Sequence, residues 1–238
     1  VPGSKRDVPP PQAPWDDDPP VVHPHGAGGA PAALAMLPFG IPLLWLLPLV
    51  FLSPGPAWAA PAQRAASVQE AVLGGGCFWC LEAIFNQLQG VIEAESGYSN
   101  GQHPAPTYEA VCTGDTGHAE VVRVRFDPRV VSFQDLLEVF FASHDPTTLN
   151  RQGNDIGTQY RSGIYTHNVQ QADTARQFMA ELERRHVFGS PLVTEVEPVR
   201  NYHPAEAYHQ RYAAHNPHQG YCAYVVAPKV AHFRDRFQ

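Results

Sequence analysis

Cysteine is scarce in this 238-residue chain, with four residues in all. Four are too few to staple a chain of this length, which excludes a disulfide scaffold. Clusters of Lys and Arg are missing as well, and the formal net charge is −7. A chain so short of basic runs is no nucleic-acid binder, because neutralising phosphates needs clustered cations. A zinc site needs a second ligand pair beside Cys77 and Cys80. Cys112 and Cys222 stand far apart, and His203 and His209 are not at finger spacing. Proline becomes rare after residue 66: of 24 prolines, 15 lie in residues 1–66 and nine in the other 172. The first quarter is thus a different kind of polymer. It contributes −1 to the charge (Lys5, Arg6 and Arg64 against Asp7, Asp16, Asp17 and Asp18), and residues 67–238 contribute −6. No internal repeat is present.

Residues 1–33 are rich in Pro, Gly, Ala and Asp, and disorder is expected there, since they offer too little apolar surface to offset chain entropy. Residues 34–52 are almost wholly apolar, and Ala57-Trp58-Ala59 follows as an A-x-A pattern suited to signal peptidase. The reading is a secretory signal cleaved after Ala59, which would place the protein in the periplasm or envelope. Two features oppose it: no Lys or Arg directly precedes the apolar run, and the run lies far from residue 1. Met36 is an alternative start. An uncleaved membrane anchor is a second reading, at marginal length and with Pro38, Pro42 and Pro48 inside it. An artefactual segment on a cytoplasmic protein is the third.

Residues 67–238 are long enough for one buried core. Strands are expected at 68–73, 91–97, 120–126, 162–166 and 193–196. Leu81, Ile84, Phe85 and Leu88 mark one face of a helix beginning near Cys77. Ser132 with Asp135 resembles a capping box for a helix carrying Phe133, Leu136, Leu137, Phe140 and Phe141. Asn168 can cap a long helix. Pro204 suits the first turn of a helix reaching about Ala213. The tail from His215 starts as loop, and Val225 and Val226 suggest an edge strand. The irregular alternation argues for one α+β domain, a mixed sheet packed on helices. Function is expected in the long loops 98–118, 144–160 and 214–222.

Gly74-Gly75-Gly76-Cys77-Phe78-Trp79-Cys80 lies between a strand and a helix. Glycines permit a sharp turn that exposes the next side chain. Unpaired N–H groups at a helix start favour a thiolate, the reactive form of cysteine; the plainer reading of Cys77 is a small buried core residue. Phe78 and Trp79 fall off the assigned apolar face and are free to line a pocket, or else simply pack. Cys77 and Cys80 also form a C-x-x-C pair. Glu120 shares a strand face with Val122, Val124 and Phe126, while Val121, Arg123 and Arg125 take the other. A carboxyl at the rim of an apolar face is pushed toward neutral pKa and can act as a general acid, unless it bends out to solvent. Cys112, just before that strand, reads as a buried structural thiol. Tyr108, Tyr160 and Asp155 lie in the polar loops.

Together these segments resemble the A-type peptide methionine sulfoxide reductases. The matching stretches are GGGCFWC (74–80), GYSNG (97–101), Tyr108 with VCTGDTGHAEVV (111–122), FDP (126–128), HDPT (144–147), NRQGNDIGTQYRS (150–162) and AEAYHQRY (205–212). The resemblance implies a two-layer α/β sandwich of ferredoxin-like kind. It implies Cys77 as nucleophile on the sulfoxide sulfur, Glu120 as proton donor to the oxygen, and Tyr108 and Tyr160 as hydrogen-bond donors. Phe78 and Trp79 would grip the substrate methyl, and Asp155 would hold the polar side. The substrate would be the S epimer of methionine sulfoxide, free or in oxidised proteins. Cys77 would become a sulfenic acid, Cys222 would resolve it (Cys80 as alternative), and a thioredoxin-type donor would reduce the disulfide. No metal or bound organic cofactor is implied, a monomer is expected, and a membrane enters only if the apolar run stays uncleaved. The rivals are a general thiol oxidoreductase using Cys77 and Cys80, and a non-catalytic protein that grips methionine-rich segments.

Overall fold

The computed structural model describes residues 67–238. The leader or anchor expected at 34–59, and the disorder expected before it, lie outside the described residues. Within them, no helix is long and apolar enough to cross a membrane.

The chain runs β1 (Gln69–Gly74), α1 (Phe78–Phe85), β2 (Val91–Ser99), α2 (Tyr108–Cys112), β3 (Ala119–Phe126) and α3 (Phe133–Ser143). A two-residue hairpin follows, β4 (Arg151–Gln152) and β5 (Asp155–Ile156), then β6 (Gly163–Thr166), α4 (Val169–Arg184), β7 (Glu195–Pro198), β8 (His203–Pro204), α5 (Tyr212–His215) and α6 (Ala227–Phe237). Six strands form one sheet in the order β7-β6-β1-β3-β2-β8. Its pairings are antiparallel except β6 with β7, which makes the sheet mixed as expected.

The alternation of β3 decides the layering. Val122, Val124 and Phe126 turn to a core shared with Leu81, Ile84 and Phe85 of α1, Leu136, Leu137 and Phe140 of α3, Ala175 of α4 and Phe233 of α6. Helices therefore cover one sheet face. On the other face Val121 is buried with Val72, Ala119 and Tyr165 under Val199 and Tyr202, while Arg123 pairs with Glu95. The Ser132–Asp135 capping box is present, and the Asn168 side chain accepts from the Gln171 N–H at the start of α4.

Two expectations fail in the C-terminal third. Pro204 starts no helix: His203 and Pro204 pair with Tyr98 and Gly97 at the sheet edge, where a missing N–H costs no ladder bond. Val225 and Val226 form no strand; they lie in a π-helical turn, Cys222–Val226, leading into α6. Pro228 occupies the first turn of α6, where its absent N–H is harmless. Phe233 anchors this helix in the core. The tail starts as loop and turn at 216–219, as expected, and is helical from 220 on, so Cys222 belongs to an ordered, buried turn. In the middle of the chain, the loops expected at 98–118 and 144–160 carry α2 and the β4–β5 hairpin.

Candidate active site

The glycine turn delivers Cys77 to the mouth of α1. Gly76 adopts φ +89, and a Cβ there would lie 2.6 Å from Gln152 Cβ and Cγ, so only glycine fits. Cys77 is the N-cap of α1, with φ −58 and ψ 124. Its sulfur therefore stands outside the helix, and Cys80 one turn on donates its N–H to the Cys77 carbonyl at 3.1 Å.

Glu120, near the start of β3, is 2% exposed. β3 pairs with β1, which runs straight into the glycine turn, so this carboxyl lands beside the start of α1. Its Oε2 accepts the Phe78 N–H at 3.1 Å, one residue past the sulfur. Burial pushes Glu120 up to about 8, helped by the charges of Asp155 and Cys80 and opposed by that hydrogen bond. The sequence expectation of a neutral acid on an apolar face holds.

The expectation for Cys77 does not. Burial raises the Cys77 thiol well above the ordinary value, and the hydrogen bond to Cys80 and the charge of Glu120 add to the rise. Desolvation and a neighbouring acid outweigh the helix start here. Cys80 moves down, chiefly because Cys77 hydrogen-bonds to it, with the charge of Lys229 assisting. The resting site thus holds a neutral thiol beside a neutral carboxyl at pH 7.

Around this pair stand phenols and aromatic rings. Burial pushes the hydroxyls of Tyr108 and Tyr160 above their ordinary range, and both feel the charges of Glu120 and Cys77. Asp155 accepts the Tyr221 hydroxyl at 2.6 Å. Trp79 is half-buried; its Nε1–H donates to His209 Nδ1 at 3.2 Å, and its ring stacks on Tyr212 at 3.9 Å. Tyr221 meets the same indole edge-on at 5.9 Å. Phe78 was expected off the apolar face, but residues 78, 81 and 85 share one. The ring is 1% exposed, packed on Tyr98 and backing Trp79. Cys112 was expected buried and is exposed, with its thiol in a hydrogen bond to Tyr108. Cys222 packs with Cys80 and Val226, and Cys77 borders that cluster. Among the described residues no group of three His, Cys, Asp or Glu is placed to hold a metal ion.

Residues not singled out from the sequence complete the frame. Glu206 accepts the Tyr98 hydroxyl at 2.8 Å and the Tyr108 N–H at 2.9 Å. His209, Tyr212 and Tyr221 hold Trp79 from three directions. Reading 204–213 as one helix hid His209 and Tyr212, because the segment instead breaks into a sheet-edge pair at His203–Pro204, a single tight turn at Ala207–His209 and a left-handed Arg211 before α5.

A cysteine at a glycine turn beside a buried neutral carboxyl is the equipment of a thiol-dependent reductase. The chain belongs to the peptide methionine sulfoxide reductase family, whose model matches residues 69–238. It is 58% identical over 172 residues to peptide methionine sulfoxide reductase MsrA of Polynucleobacter asymbioticus, covering 72% of this chain and 90% of that one. Against the Deinococcus radiodurans MsrA it is 51% identical over 175 residues, covering 74% and 85%. The reduced form of Mxr1 from Saccharomyces cerevisiae superposes with a TM-score of 0.62 at 36% identity, covering 66% of this chain and 90% of that one. Methionine sulfoxide reductase A of Corynebacterium diphtheriae gives 0.60 at 38%, covering 68% and 80%. The chain is accordingly an oxidoreductase that reduces methionine sulfoxide, on the α+β fold of these relatives.

Proposed function

We propose that the protein reduces the S epimer of methionine sulfoxide, free or in oxidised proteins, with Cys77 as nucleophile and Glu120 as acid. Sulfoxide oxygen leaves poorly unless protonated. Glu120, neutral below about pH 8, gives it a proton. The bond from oxygen to the methionine sulfur breaks and a bond from oxygen to Cys77 sulfur forms. The substrate sulfur gains two electrons, and Cys77 loses them and becomes a sulfenic acid. The Cys77 thiol proton passes to the Glu120 carboxylate and restores the acid. Tyr108 and Tyr160 keep their protons across the physiological range and donate hydrogen bonds to the same oxygen. Trp79, backed by Phe78, grips the methyl, and Asp155 holds the polar side.

A second thiol then attacks the Cys77 sulfur, water leaves, and a dithiol donor of the thioredoxin class reduces the disulfide. Cys222 is the proposed resolver. Cys80 is a second reading: two cysteines one turn apart inside a helix have poor geometry for a disulfide, but Cys77 is the N-cap with non-helical backbone, and its thiol hydrogen-bonds to Cys80.

The observation that carries this reading is the Phe78 N–H donated to the Glu120 carboxyl, which sets the acid against the residue next to the sulfur. Incubation with the separated epimers of methyl p-tolyl sulfoxide and dithiothreitol tests it. Consumption of the S epimer alone, lost in Glu120→Gln, is expected; turnover of neither epimer refutes it. Export is the companion proposal, tested by N-terminal sequencing of the mature protein, where a start at Ala60 supports it and a start upstream of residue 34 rejects it.

A further inference from the structure

Glu82 lies on α1, one turn and a residue beyond the catalytic sulfur, and the proposed chemistry does not use it. It is 1% exposed, and burial pushes its carboxyl up to about 7. Its Oε1 accepts the backbone N–H of Arg211 at 2.8 Å, across 129 residues of chain. Ser96, on β2 and fully buried, is its other close neighbour.

Arg211 sits at φ +54 and ψ +31, in the left-handed region that a side chain disfavours, and no side chain caps the short helix that follows. Something must hold it there. Gln210 on one side is pinned by its amide, which donates to the Ser96 and Ala205 carbonyls and accepts the Ser96 N–H. Tyr212 on the other side is the residue stacked on Trp79, with the two rings 11° from parallel. The left-handed turn at Arg211 is what swings the chain from the sheet edge onto the indole.

We propose that Glu82 is a positioning residue: by holding Arg211 in its left-handed turn it seats Tyr212 against Trp79 and so sets the aromatic wall that grips the substrate. This rests on the reading of Trp79 as that wall. Without the Glu82 acceptor the turn relaxes, and the population with Tyr212 seated falls by about tenfold, the scale of one disfavoured backbone conformer. A binding-competent fraction reduced tenfold raises the apparent substrate dissociation constant by the same factor and leaves the chemical step alone.

The test uses the full chain and the S epimer of methyl p-tolyl sulfoxide, with KM and the single-turnover rate read separately. E82A is expected to raise KM about tenfold with the saturated rate changed less than about threefold. Glycine adopts the left-handed turn unaided, so R211G in the E82A background should return KM to within about twofold of the parent. Should E82A fail to fold, R211V carries the test. Arg211 is exposed, so its replacement spares the core, and a β-branched side chain resists φ +54; R211V should reproduce the raised KM while R211G alone does not. An unchanged KM in E82A or R211V, or a raised KM that R211G cannot restore, overturns the inference. A parent protein that consumes no sulfoxide overturns the functional reading instead, so the two failures are distinct.

Discussion

Replacing Glu120 with glutamine should disable the protein and yet stabilise it at alkaline pH. The carboxyl is raised from its ordinary 4.5 to about 8, mainly by burial. In the unfolded chain it is solvated and ionises at its ordinary value. Between those two midpoints the native state holds a proton that the unfolded state has released, so stability falls as pH rises. The contribution is fully present below pH 4.5 and is gone once pH has passed about 8. At about 1.4 kcal/mol per pH unit, Glu120 alone removes about 3 kcal/mol of stability between about pH 5.5 and pH 9. Glu120→Gln keeps an oxygen to accept the Phe78 N–H and carries no charge to desolvate. Urea unfolding of both reduced proteins at the two pH values isolates the effect, because the other titrating groups are common to both. The variant should gain about 3 kcal/mol on the parent across that interval while losing sulfoxide turnover. Parallel stability profiles would refute the claim that this carboxyl is buried and neutral.

Activity follows the same group. The single-turnover rate on the S sulfoxide should fall as pH rises through about 8, as Glu120 loses its proton, and a profile still level at pH 9.5 would contradict the assignment. Gly76→Ala should cost about 2–4 kcal/mol in thermal unfolding, because φ +89 and the Gln152 side chain both reject a Cβ; a variant as stable as the parent would show that the turn is not forced. Cys222→Ser should stop turnover driven by a thioredoxin-class donor while still yielding one methionine per chain, and full rates in that variant would assign resolution to Cys80.

Local rules carried the first two thirds of the domain. The glycine turn, the capping box at Ser132, the Asn168 cap and the alternation of β3 are set by residues within a few positions of one another, and all four appear in the structure. Glu120 was legible for the same reason: strand period alone puts it on the apolar face. The C-terminal third was not, because its conformation is decided by distant partners. Pro204 is extended because Gly97 is there to pair with it, and Gln210 and Arg211 are fixed by Ser96 and Glu82. Val225 and Val226 suggested a strand by β-branching, but Phe233 packing in the core keeps this stretch helical. The protonation of Cys77 escaped sequence reasoning because the helix start is visible in a string of letters whereas the burial of the thiol, its hydrogen bond to Cys80 and the charge of Glu120 are not.

The central claim is that Cys77 sulfur and the neutral Glu120 carboxyl act on one sulfoxide in one cleft. A single-turnover titration tests it directly: fully reduced protein, excess S-epimer substrate, no reductant, with methionine-type product and free thiols counted after quenching. One sulfide product per chain with the loss of two thiols is expected, none from Cys77→Ser, and a rate at least about a hundredfold lower from Glu120→Gln. Undiminished product from Cys77→Ser, or an undiminished rate from Glu120→Gln, would contradict the account.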